Sequence, residues 1–226
     1  MIAFIGGTGP EGLGLAFRLA VAGEDVVIGS RKLERAEAAA AWVRERWPSA
    51  RVRGALNREA VADAAVVFVT VPYDGQRSVL SELADALEGK VVVDTVVPVT
   101  FEKGLARALP VEDGSAAQEA QRLLPRSRLA AAFHTLSAHK LQQGDTIIEG
   151  DVLVCSDDPE VKAAAMALAE KIPGLRAVDG GGLANARYVE LITVLLLNLN
   201  RIHKAETGVR IVGLKAGGPP GAPLDP

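Results

Sequence analysis

Apolar and polar positions alternate in blocks along the first hundred residues. Residues 2–5 (IAFI) form a short apolar run, and residues 13–22 place apolar side chains at helical spacing up to Gly23, a natural helix stop. A second apolar run covers 25–28. An Ala-rich helical segment, 34–47, is closed by Pro48, and 51–55 is a third strand. Asn57 is placed to cap a short helix after it. Residues 65–71 (AVVFVTV) are mostly β-branched and end at Pro72, the pattern of a strand buried on both faces. A helix at 78–87 and a strand at 90–95 (KVVVDT) follow. Strands alternating with helices predict βαβ units and a parallel sheet.

Beyond Val99 the pattern loosens. Ser115 with Gln118 opens a helix as a capping box. Residues 129–133 and 151–155 read as strands. Asp158-Pro159 starts a helix running to Lys171. Residues 175–179 are a last strand, and Gly180-Gly181-Gly182 leads into a long helix over 183–204. The predicted fold is α/β, a parallel sheet with a smaller C-terminal α/β unit. The boundary falls near residue 135, giving a nucleotide-type unit over 1–135 and a small unit over 136–226. The Gly/Pro-rich tail from Lys215 is expected to be poorly ordered alone.

Composition narrows the classes. Hydrophobic residues make up 49 % but aromatics only 4 %, so the core is built from Ala, Val and Leu. A net charge of −3 speaks against a nucleic-acid partner. The single cysteine, Cys155, excludes an intramolecular disulfide and fits a reducing, cytoplasmic setting. Cys155 itself reads as a small buried side chain in a strand. No secretory leader is visible. The most apolar long stretch, 188–200, is shorter than the about 20 residues of a bilayer span and is interrupted by Glu190, Thr193 and Asn198. No membrane association is expected.

Between the first strand and the first helix lies Gly7-Thr8-Gly9-Pro10-Glu11-Gly12, a G-x-G-x-x-G in the βαβ context that the motif requires. The glycines would allow the tight turn, the approach of backbone to a pyrophosphate and close packing of helix on strand. Pro10 suits the first helical position. Glu11 suits the positive helix end if its side chain points away from the phosphates. The alternative is a glycine-rich turn that serves packing only.

The end of the second strand chooses between dinucleotides. NAD would call for an acid on its ribose 2′-hydroxyl. Here Ser30, Arg31 and Lys32 stand instead, with Arg35 one helical turn on. A hydroxyl and three cations match a 2′-phosphate, with Thr8 able to add a hydrogen bond, so NADP(H) is expected. The plainer reading is a solvated basic helix start, although cations there oppose the helix dipole.

The segments GGTGPEGLGLAFRLA, VVIGSRKLERAEA, VVPVT, AAFHTLSAHKL and LANARYVELITVLLLNLNR together resemble the NADPH:coenzyme F420 oxidoreductases, the F420-dependent NADP reductases. The similarity runs from Met1 to about Leu214. It implies a Rossmann domain with a small C-terminal domain, a homodimer, and hydride exchange between NADP(H) and the deazaflavin coenzyme F420. Carried over by position, Thr8, Ser30, Arg31, Lys32 and Arg35 would bind the 2′-phosphate, and Gly7, Gly9 and Gly12 would frame the pyrophosphate. The turns Val71-Pro72-Tyr73 and Val97-Pro98-Val99 would lie beside the nicotinamide. His134, Thr135 and Leu136, with Arg187 and Thr193, would face the deazaflavin. The chain departs from the family at Tyr73, commonly Trp, and at Leu191, sometimes Ser.

Hydride transfer between two flat heterocycles needs orientation and exclusion of water, and no nucleophile or metal. The three histidines show no metal-ligand spacing, and no metal is expected. His134 could bond the deazaflavin or simply close a strand. Arg187 could reach an anionic coenzyme or pair with Glu190 at i,i+3. Val189, Ile192, Leu196 and Leu199 form one helical stripe, widened by Leu195 and Leu197, and this surface predicts a homodimer contact. Two other readings share the amino-terminal pattern. One is an NADP-dependent dehydrogenase of a small hydroxy acid, imine or ketone. The other is a non-catalytic NADP sensor.

Overall fold

The computed structural model describes residues 1–144 and 146–214. The tail from Lys215 discussed above lies outside the described residues. In chain order the elements are β1 (Ile2–Ile5), α1 (Pro10–Val21), β2 (Val26–Ser30), α2 (Leu33–Arg46), β3 (Val52–Leu56), α3 (Asn57–Ala62), β4 (Val66–Val69), α4 (Tyr73–Leu83) and β5 (Val91–Asp94). There follow β6 (Val99–Glu102), β7 (Leu105–Ala108), α5 (Ala116–Leu123), β8 (Arg128–Ala131), α6 (Ala138–Leu141), β9 (Gly150–Val154), α7 (Pro159–Glu170) and β10 (Leu175–Asp179). After a 3-10 turn at Leu183–Asn185, α8 (Ala186–His203) closes the fold.

Six strands form one sheet in the order β3-β2-β1-β4-β5-β8. Every neighbouring pair in it is parallel. The order reverses between β1 and β4, so the connections from these strands leave in opposite directions. A crevice therefore opens at their carboxyl ends. β9 and β10 make a second, two-stranded parallel sheet. Ala131 and Cys155 exchange backbone hydrogen bonds of 2.8 and 2.9 Å, which ties the second sheet to the β8 edge. One apolar core joins Phe4, Phe68 and Phe133 to Val152, Val154, Val161 and Leu168, and is continuous across residue 135. Among the described residues no helix is long and apolar enough to cross a membrane.

Local chemistry explains most element ends. Ser115 Oγ accepts from the Gln118 amide at 3.0 Å, and Asp158 Oδ1 accepts from Glu160 and Val161 at 3.0 and 3.2 Å. Both are side-chain N-caps. Helix α1 starts at Pro10, earlier than the apolar spacing suggests, because proline has no N–H to lose at the first position. Asn57 is not the cap of α3 but its first residue. Its Oδ1 accepts from Gly6 N–H at 3.3 Å, so the side chain supports the glycine loop. Helix α4 covers 73–83 rather than 78–87, starting as soon as Pro72 ends the preceding turn.

The β6–β7 hairpin has no counterpart in the sequence prediction. Its strands lack a clean apolar alternation, and its turn is carried by Lys103 at φ +51° and Gly104 at φ +78°. Asn198 of α8 holds it, donating to Ala106 O at 3.0 Å and accepting from Ala106 N at 2.9 Å. The strand expected over 129–133 ends at Ala131, and the chain then turns through Phe133 at φ +69°. Cys155 is buried just past β9, as its size and apolar neighbours predicted, and burial pushes its thiol up to about 11.

The expected stripe on the last helix needs correcting. Val189 and Leu196 are buried against their own chain. The apolar row left on the surface of α8 is Tyr188, Leu191, Leu195 and Ile202.

Candidate functional site

The glycine loop sits at the crevice, and its three glycines do different work. A Cβ on Gly7 would strike Phe4, and one on Gly12 would strike the Thr70 side chain. Thr70 is itself held by donation of its hydroxyl to Ile5 O at 2.9 Å. These two positions are required by packing. At Gly9 the nearest neighbour to an added Cβ lies 3.7 Å away, so packing makes no such demand. Its bare backbone is the open approach that a pyrophosphate needs.

Next to the loop, Ser30 ends β2 and Arg31, Lys32 and Arg35 lead into α2. Ser30 is buried, and its Oγ accepts from the Lys32 amide at 3.2 Å. The three cations are exposed and carry no ion pair or side-chain hydrogen bond among the described residues. They stand at the positive end of α2, where the acid of the first turn is Glu34. Thr8 is half-buried beside them in the loop.

Further along the same edge a cavity of about 330 Å³ opens between the ends of β4, β5 and β8 and the face of α8. Val71, Pro72, Tyr73 and Val97 form walls, and His134, Thr135 and Leu136 form the floor. Thr193 and Leu196 close it from α8, and Glu11 enters it from the first turn of α1. The expectation for Glu11 was only that it avoid the phosphates. The structure places it on the wall of this cavity.

His134 is 5 % exposed, and neither ring nitrogen has a hydrogen-bond partner among the described residues. Burial pushes the imidazole down to about 4, so it is neutral at physiological pH. The left-handed turn at Phe133 brings the histidine to the cavity, and a buried aromatic is an uncommon residue for that conformation. Phe133 is held by packing on Phe68, with ring centroids 5.4 Å apart. The Thr193 hydroxyl lies 3.0 Å from His134 O and 3.2 Å from Val189 O, so it fastens α8 to the histidine segment.

Two buried groups outside the expected set hold this geometry. Asp94 ends β5 completely buried, and its Oδ1 accepts from Val96 N–H at 3.0 Å, fixing the turn that presents Val97. Burial raises its carboxyl well above the usual range. Arg18, on the apolar face of α1, donates to the carbonyls of Lys140, Leu141, Gln143, Gly144 and Thr146. It thereby anchors α6 and the loop after it, immediately beyond the cavity floor. A lone arginine on an apolar helix face is the sequence signal for this anchor.

Other expected residues separate. Arg187 and Pro98 line a neighbouring cleft of about 490 Å³ with Glu190 and Leu191. Val99 opens the hairpin as the first residue of β6. Arg187 does not pair with Glu190. Its guanidinium lies 5.2 Å over the Tyr188 ring. The Glu190 carboxylate instead accepts from Ala116 and Ala117 N–H at 3.1 and 3.3 Å, at the start of α5, and burial pushes it up to about 7.

Comparison with known proteins places these features. A family described as "NADP oxidoreductase coenzyme F420-dependent" matches residues 1–98. The chain is 46 % identical over 222 residues to the F420-dependent NADP reductase of Methanothermobacter marburgensis, covering 94 % of this chain and 98 % of that one. It is 39 % identical over 221 residues to the reductase of the same name from Methanocaldococcus jannaschii, covering 95 % and 99 %. Among solved structures, a putative F420-dependent NADP reductase from Arthrobacter sp. FB24 superposes with a TM-score of 0.80 at 25 % identity, covering 93 % and 98 %.

Proposed function

Because this chain belongs to the F420-dependent NADP reductases, we propose that the cavity at the carboxyl edge of its sheet is where a hydride passes between NADP(H) and coenzyme F420. The observation that carries this reading is His134. It is a buried imidazole with two unsatisfied nitrogens on the lining of a cavity whose walls mix apolar side chains with Glu11, Tyr73 and Asn200. A buried polar group without a partner costs stability, and a planar ligand with ring nitrogens and carbonyls would satisfy it.

The residues present fit both coenzymes. Gly9 leaves room for a pyrophosphate, the unpaired cations and Ser30 suit a 2′-phosphate, and the flat apolar walls suit stacked rings. When bound, the coenzymes supply the chemistry, with hydride moving between nicotinamide C4 and deazaflavin C5. The chain contributes position. Val71, Pro72 and Val97 wall the nicotinamide, Thr135 and Leu136 support the deazaflavin, and neutral His134 bonds one of its polar atoms without adding charge. Thr193 acts through the His134 backbone. Arg187 serves the tail of the deazaflavin from the adjoining cleft. On this reading the 1–135 unit binds NADP(H), and α8 of the 136–226 unit roofs the rings. Membership of the reductase family sets aside the small-substrate dehydrogenase and the non-catalytic sensor.

The surface row Tyr188, Leu191, Leu195 and Ile202 is the face of α8 for a second copy of the chain. A dimeric mass in micromolar solution, lost in Leu195→Asp, is expected.

Stopped-flow reduction with NADPH deuterated at C4 tests the transfer itself. Deuterium is expected at C5 of the product in ordinary water. Solvent hydrogen there, or no reduction, would return the small-substrate dehydrogenase to first place.

A further inference from the structure

Glu11 is the second unsatisfied group in the ring cavity, and the reaction as described makes no use of it. It occupies the first turn of α1, immediately after the loop that Gly7 and Gly9 build, and projects into the space shared by Val71, Pro72 and His134. Its Oε1 is sealed from solvent and has no hydrogen-bond partner among the described residues. The other titratable groups on the cavity wall are Tyr73 and His134, and both are neutral near pH 7. Ser137, on the cavity lining, donates to Glu206, which is paired with His139 at 2.6 Å and is not itself a lining residue. No cation among the described residues bonds to Glu11.

We infer that Glu11 is a redox-linked proton site, carrying its proton opposite the reduced nicotinamide and releasing it opposite the oxidised one. This inference rests on the placement of the nicotinamide proposed above. Oxidation gives the nicotinamide ring a unit positive charge without changing its shape. A carboxyl held in an apolar wall next to that ring meets a neutral neighbour in one state and a cation in the other. An adjacent opposite charge favours ionisation, and weak screening in the cavity makes the effect large. Alone, the group is kept protonated by burial, which raises it to about 8. The O–H bond breaks heterolytically, the electron pair stays on the carboxylate, and the proton goes to solvent. The carboxylate then pairs with the ring cation. In the overall reaction that proton offsets the one taken up when the deazaflavin is reduced.

The consequence is measurable without any deazaflavin. Calorimetric binding of NADP⁺ and of NADPH in two buffers of different ionisation heat gives the protons released by each. Protons exchanged by the 2′-phosphate are common to both coenzymes and cancel in the difference. At pH 7 NADP⁺ is expected to release about one proton per site more than NADPH does. NADP⁺ affinity should rise about tenfold per pH unit below the raised value, while NADPH affinity stays flat. Glu11→Gln keeps the shape and a hydrogen-bonding end but cannot ionise, and it should erase both differences. Equal proton counts in the unaltered protein, or a difference that survives in Glu11→Gln, would overturn the inference. Failure to bind either coenzyme would instead overturn the placement of the nicotinamide.

Discussion

The two ends of the groove we propose for the coenzymes are built in opposite ways. At the phosphate end, Thr8, Ser30, Arg31, Lys32 and Arg35 come from two short stretches, and the cations stand in solvent. At the ring end, Glu11, Tyr73, Val97, His134 and Thr193 come from five separate parts of the chain and share one cavity. The difference follows from what each must recognise. A phosphate carries full charge and can be held by flexible cations projecting from one turn. Two stacked rings need walls at fixed separation, and walls need a packed scaffold behind them. Disturbing the scaffold should therefore damage the ring end, while disturbing the phosphate end should leave the fold untouched.

The largest effect is expected from Arg18→Leu. It removes the donor for five backbone carbonyls around α6 and should cost about 3–5 kcal/mol in urea unfolding. An equally large loss from Arg31→Ala would erase the contrast between the two ends.

His134→Asn comes next, and its signature is in the pH dependence. The native imidazole sits at about 4, against about 6.5 when unfolded. Between these values the unfolded chain binds the extra proton, so stability is complete above about 6.5 and falls as the pH drops towards 4. This one group accounts for about 3 kcal/mol of that fall, and the asparagine variant should lack it. Turnover should slow by about 10- to 100-fold, the cost of a lost positioning group rather than of an essential nucleophile. Acid titration by circular dichroism and steady-state kinetics check the two parts.

The smallest effect belongs to the exposed end. Arg31→Ala should weaken NADPH binding by about 1.5–3 kcal/mol and leave NADH binding and the unfolding midpoint unchanged. Fluorescence titration with both coenzymes measures it. Equal affinity of the unaltered protein for NADPH and NADH would show that the Ser30–Arg31–Lys32 turn does not read the 2′-phosphate.

The same division marks what was legible in advance. The parallel sheet, the helix starts at Pro10, Ser115 and Asp158, and the cationic turn after β2 are all local signals: β-branched runs, caps, glycines and charge within a few residues. These are properties that neighbouring residues fix by sterics and short-range hydrogen bonding. The chain by itself thus determined the fold class and the groups available to a dinucleotide. Tertiary structure alone decided which side chains meet. It put Glu11 on the cavity wall, sent Arg187 and Pro98 to a neighbouring cleft, turned Val189 and Leu196 inward on α8, and gave Glu190 to the start of α5. Each outcome depends on the crossing of elements distant in sequence, as His134 depends on a left-handed turn at Phe133 packed against Phe68. No periodicity within one segment encodes such a meeting.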